Sequence, residues 1–134
     1  MKKSILFAII AITLCSCSSS YKLSNTVWYN VTQGELAGEK GDIITSLYFM
    51  EDGQMRTNIC VKRDSTILVP ITTTAYGTYT YKGNLKKGVK VDITSSDLYD
   101  NEKKQSGVIT PGGMLLSETD SIARVYSKTN IILK

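Results

Sequence analysis

From Asn25 onward the chain alternates apolar and polar residues with a period of two. The runs are short and rich in β-branched and aromatic residues, and Gly, Asn, Asp or Pro interrupts each of them. Successive side chains of a β-strand point to opposite faces, so this period predicts strands that each carry one apolar face. Residues 43–51 show it best: Ile43, Leu47 and Phe49 fall on one side, Ile44, Tyr48 and Met50 on the other. Asp52-Gly53 follows as a hairpin signal, because both residue types enter left-handed backbone cheaply. In the return run, residues 54–62, Met55, Thr57, Ile59 and Val61 share one face, and Gln54, Arg56, Asn58 and Lys62 the other. No stretch carries a helical period of useful length, although residues 32–40 have room for a single helical turn.

The remaining runs extend the pattern. Residues 25–31 form a first strand, and residues 32–42, with Gly34, Gly38 and Gly41, read as a polar connection. Further strands are expected over 66–74, 75–81, 88–95, 105–110, 114–119 and 122–128. Pro70 marks an edge, bulge or bend, since proline donates nothing to a strand ladder. Gly77 shares a face with Tyr79 and Tyr81, which leaves room for the chain to curve. Lys82-Gly83-Asn84 and Pro111-Gly112-Gly113 read as turns, and residues 96–104 as a polar stretch. The fold class is therefore all-β, an antiparallel up-and-down meander. A flat meander would expose two edges and one apolar face, and curling it shut removes both liabilities. A small barrel of about eight strands is the expected architecture. A β-sandwich is the alternative, because alternation alone does not separate the two.

The N-terminus has a different logic. Lys2 and Lys3 precede an apolar run, residues 5–14, and small residues follow. This is the order of a secretory signal, and the run is far short of the about 20 residues that span a bilayer. Leu14-Cys15-Ser16-Cys17 resembles the lipobox of bacterial lipoproteins. The resemblance implies that the Cys17 thiol takes a diacylglycerol as a thioether, that a peptidase cuts before it, and that the new amino group is acylated. Cys15 fits less well, since Leu14 would place a bulky residue at the cut. An ordinary secretory signal with incidental cysteines is the plainer alternative. Each buried methylene contributes about 0.8 kcal/mol, so two or three acyl chains would hold the protein durably. The expected organisation is a signal over residues 1–16, a lipidated Ser-rich tether over 17–24, and a barrel domain over 25–134.

Without its signal the chain is long enough for one domain with a core and too short for two. Losing Lys2 and Lys3 lowers the net charge from +4 to +2. The remaining lysines are scattered, which argues against nucleic acid as a partner. Lys86-Lys87 and Lys103-Lys104 read as solvated turn charges. Cys60 is the one cysteine that neither leaves with the signal nor takes lipid, and a buried, inert thiol is the expectation.

The residues for catalysis are sparse. The chain has no histidine, the commonest general base and metal ligand. Asp97, Asp100 and Glu102 cluster, but without the spacing and glycine of a calcium loop, so a solvated acidic loop is expected. No catalytic residue, metal or cofactor is expected, and the protein reads as a non-enzyme.

The order of elements is similar to that of small lipocalin-like lipoproteins of Gram-negative bacteria. Asn25-Thr26-Val27-Trp28 opens the domain, Leu47-Tyr48-Phe49 precedes Asp52-Gly53, and Gly77-Thr78-Tyr79-Thr80-Tyr81 follows. Gly112-Gly113 with Met114-Leu115-Leu116, and then Val125-Tyr126-Ser127-Lys128, complete the set. The lipocalin motif has Gly two residues before its Trp, whereas this chain has Thr26. The resemblance implies that Trp28 closes one barrel end beneath a basic side chain, Arg124 or Lys128. It also implies a small hydrophobic or amphipathic ligand in the barrel. The expected lining is Trp28, Leu47, Phe49, Met55, Ile59, Tyr79, Tyr81, Val91 and Met114, for which a packed core without a cavity is the alternative. A second functional expectation is an interaction module that meets an envelope protein through residues 32–42 and 96–104. Ser18 is not the Asp that retains lipoproteins at the inner membrane, and residues 18–22 lack an acidic run. The expected location is the outer membrane, on its periplasmic face, with the membrane itself as partner through the lipid.

Overall fold

Among the described residues, period-two patterning produces strands alone, apart from one short turn of 3-10 helix. The computed structural model describes residues 21–118 and 123–132. Its strands are β1 (Thr26–Leu36), β2 (Glu39–Phe49), β3 (Gln54–Arg63), β4 (Thr66–Asn84), β5 (Gly88–Asp97), β6 (Glu102–Thr110), β7 (Gly113–Glu118) and β8 (Arg124–Tyr126). Each pairs antiparallel with its neighbours in sequence, in the order β1 to β8. The sheet curls until its edges meet. Tyr29 of β1 and Ser127, just beyond β8, exchange both backbone hydrogen bonds, at 2.8 and 2.9 Å. The Asn30 side-chain amide also donates to the Val125 carbonyl at 2.9 Å. The result is a nearly closed eight-stranded barrel rather than a sandwich.

Register fixes which side chains enter it. Trp28 lies opposite Leu47 and Thr57 opposite Leu47 on the next strand, while Phe49 faces Met55. Tyr79 pairs with Ile93, Val89 with Ile109, and Ile109 with Met114. These inward residues other than Thr57, with Leu23, Val91, Leu116 and Tyr126, form one core cluster. At Gly77 β4 lies so close to β5 that a Cβ there would strike the Thr94 carbonyl. The neighbouring backbone therefore leaves no room for a side chain at this glycine.

Several expected boundaries move. Residues 32–42 are not a connection or a helical turn; β1 and β2 continue through them to a two-residue turn, Ala37-Gly38. Both turn residues have positive φ, 53° and 80°, the geometry that joins twisted strands tightly. Residues 32–35 are exposed in succession, so this hairpin projects beyond the barrel and has no apolar face to betray it in sequence. The two segments expected over 66–81 are one strand, β4, which runs on through Asn84. Its register slips where Ile59 pairs with Thr72 and Val61 with Val69, a bulge that contains Pro70. Likewise the polar stretch 96–104 shrinks to a turn over 98–101, because β5 and β6 extend into it. The last strand, expected over 122–128, is the short β8.

The turns sort onto two ends. The 3-10 turn Glu51–Gly53, the turns at 85–87 and 111–112, and the chain's entry at Tyr21 occupy one end. The turns at 37–38, 64–65 and 98–101 occupy the other.

Candidate binding site at the open end of the barrel

The two ends differ in what fills them. At the first, Leu23 is fully buried although it lies within the stretch expected to be tether, so the domain reaches back at least that far. Trp28 is buried beside it. Its indole N–H donates to the Thr26 hydroxyl at 3.0 Å, and that hydroxyl donates to the Leu23 carbonyl at 2.6 Å. Thr26 thus supplies the partner that a buried indole N–H needs, which a glycine would not. The Lys128 ammonium lies 5.2 Å from the Trp28 ring centroid and 5.3 Å from that of Tyr21. The expected basic partner of Trp28 is therefore Lys128. Arg124 lies at the opposite end.

Tyr79 completes this packed half. It meets Phe49 edge-on, with centroids 4.9 Å apart, and its hydroxyl donates to the Met50 carbonyl at 2.5 Å. Burial, followed by the neighbouring Tyr81, Asp52 and Glu51, pushes its phenol up from the ordinary value. Of the expected lining residues, Trp28, Leu47, Phe49, Met55, Tyr79, Val91 and Met114 all belong to the core cluster. They pack against one another. Ile59 is only partly buried and stands outside that cluster, and Tyr81 is 36% exposed, stacked on Tyr79 with centroids 6.1 Å apart.

The other end is a polar recess of about 470 Å³. Leu47 and Tyr126 form its apolar base; Thr45, Thr57, Ala75, Ser95 and Gln105 line the wall, and Asp97, Glu102, Lys103 and Arg124 the rim. The strand period places them there. On β5 the inward register that carries Val89, Val91 and Ile93 continues to Ser95 and Asp97. On β6 it runs from Ile109 through Gly107 and Gln105 to Lys103. The strands expected from the sequence ended at 95 and began again at 105; one more step of the same parity on each would have reached Asp97 and Lys103.

Asp97 also builds the turn beside the recess. Its carboxylate accepts from the Tyr99 N–H at 2.8 Å, the Asn101 N–H at 2.9 Å and the Asn101 side-chain amide at 2.9 Å. The hydrogen bonds from Asn101, with that from Tyr99, hold its carboxyl below the usual carboxylate range. Among the described residues no group of three His, Cys, Asp or Glu side chains gathers closely enough to hold a metal ion.

A second recess, about 620 Å³, lies on the projecting hairpins. Several of its polar groups are engaged: Gln33 donates to Asp42 at 3.3 Å, Lys62 to the Ile132 carbonyl at 2.9 Å, and Arg63 pairs with Glu39 at 3.5 Å. Cys60 is buried on the outer wall opposite Ile44, and burial raises its thiol despite the opposing charge of Lys62. Cys17 lies outside the described residues.

No family model, no curated protein and no solved structure matches this chain.

Proposed function

We propose that the chain is a lipid-anchored, non-enzymatic lipoprotein of the outer membrane, a lipocalin-like barrel that binds a small amphipathic molecule at its open mouth. The recess of about 470 Å³ over Leu47 and Tyr126 carries this reading. It falls within the roughly 300–1,000 Å³ usual for small-molecule sites. An apolar base would take a short hydrocarbon end, and Asp97, Lys103 and Arg124 would hold a charged head. The apolar half below is occupied by its own side chains, so a ligand need not be wholly hydrophobic and does not have to enter the core. Cys17 supplies the anchor, and the periplasmic face of the membrane is the proposed address.

A fluorescent fatty-acid probe tests the reading. Saturable binding that unlabelled amphipath displaces, and that Arg124→Ala weakens, is expected. Binding unaffected by Arg124→Ala and by a bulky Ala75→Trp at the wall would contradict it.

A second reading has its own support. Leu98 and Tyr99, 68% and 86% exposed, stand on the 98–101 turn, at the same rim as the projecting β1–β2 hairpin. Large apolar side chains so exposed suit an envelope protein as partner. Leu98→Ser with Tyr99→Ser would then abolish capture of that partner and leave probe binding intact.

A further inference from the structure

The packed end presents a surface that ligand binding at the mouth leaves unused. The 85–87 turn carries Leu85, 38% exposed, followed by the exposed Lys86 and Lys87, and Lys82 precedes it on β4. Lys22 and Lys128 border the same end, where Glu51 and Asp52 are the opposing charges. The balance is basic. Leu85, Tyr21 and Lys128 line one recess of about 290 Å³, so the apolar tip, the start of the described chain and a lysine are neighbours.

Chain length then limits where this end sits. Cys17 is four residues before Tyr21. Extended chain covers at most about 3.5 Å per residue, so a lipid on Cys17 lies within roughly 14 Å of the packed end. We infer that this end docks on anionic phospholipid headgroups, with Lys82, Lys86 and Lys87 against the phosphates and Leu85 at the interface. The inference rests on the lipid-anchor reading for its geometry and on the lysines for its chemistry. A leaflet bearing negative lipids attracts lysines near its surface, and the attraction fades within a Debye length of about 8 Å at physiological salt. The lysine pair is thus a contact surface rather than a set of solvated turn charges. Docked this way, the barrel turns its open mouth away from the membrane.

Trp28, the single tryptophan, lies at the docking end and serves as a native reporter. Mass spectrometry of the mature protein first establishes whether Cys17 is acylated, which tests the anchor by itself. The same mature protein, acylated or not, is then added to phosphatidylcholine vesicles with or without phosphatidylglycerol, each doped with a headgroup-nitroxide lipid. Stronger Trp28 quenching in the anionic vesicles is expected, falling at high salt and in the Lys82→Gln, Lys86→Gln, Lys87→Gln variant. Each lysine is expected to contribute about fivefold to vesicle affinity. Quenching equal in both compositions, or unchanged in the triple variant, would overturn the docking whatever the acylation state. These lysines lie on the surface, and an unchanged far-ultraviolet spectrum would verify that the variant is folded.

Discussion

The two ends of the barrel are built by the same strands and do opposite things. At the packed end, inward positions carry Trp28, Phe49, Met55, Tyr79 and Met114, with Leu23 laid across them, and they are buried almost completely. At the mouth the same inward positions become Thr45, Thr57, Ser95, Asp97, Lys103 and Arg124. Backbone geometry is common to both, so the difference is entirely one of side chains. A closed sheet does not decide whether its interior is core or site; the residue chosen at each inward step does. Stability therefore concentrates at one end, and the freedom to bind at the other.

Substitutions test that contrast. The largest effect is expected for Trp28→Ala, which removes a buried indole and leaves a cavity worth about 3–5 kcal/mol of unfolding free energy. Thr45→Ala at the mouth should change stability by no more than about 0.5 kcal/mol. Urea titrations of the two variants would measure both, and equal losses would erase the distinction between the ends.

Tyr79→Phe comes next. It keeps the ring packing against Phe49 and loses the hydrogen bond to the Met50 carbonyl, a cost of about 0.5–1.5 kcal/mol. The same variant should change the alkaline profile. Because the folded-state phenol is raised, its contribution is complete below the unfolded phenol value of about 10 and is lost as pH climbs through the folded value. Stability of the native protein therefore falls with rising pH in that window, and Tyr79→Phe should flatten the fall. Cys60 contributes a slope of the same sign at its own lower range, which Cys60→Ser would isolate.

Smaller again is Lys128→Met, which retains the stem and deletes the charge over Trp28 and Tyr21. A loss of about 0.5–1 kcal/mol is expected from thermal unfolding, reduced in a Tyr21→Leu background. The smallest effect on stability is expected at Arg124: replacement by Ala should leave unfolding within about 0.5 kcal/mol of the native protein while weakening probe binding at the mouth.

Much of this was legible in the sequence. Alternation identified β2, β3 and β5 and their inward faces, and Asp52-Gly53 marked its turn with φ of 63° and 72°. Trp28 at the packed end and a bulge around Pro70 were also readable. Most of what escaped shares one cause. Strand calling by hydropathy stops where apolar residues stop, yet the ladder continues wherever backbone partners remain. The polar ends of β1, β2, β5 and β6 (residues 32–36, 39–42, 96–97 and 102–104) were read as loops for that reason, and with them went the rim of the mouth. Leu23 was hidden by its Ser-rich surroundings, since a lone apolar residue in a polar stretch carries no period.

The most direct test is an NMR titration of the protein with a short-chain zwitterionic amphiphile. Saturable shifts at Ser95, Asp97, Lys103 and Arg124, with the methyl signals of Met55, Val91 and Met114 unmoved, are the predicted result. Saturable shifts of those core methyls instead would mean that the ligand enters the packed half, and would contradict a barrel divided between core and site.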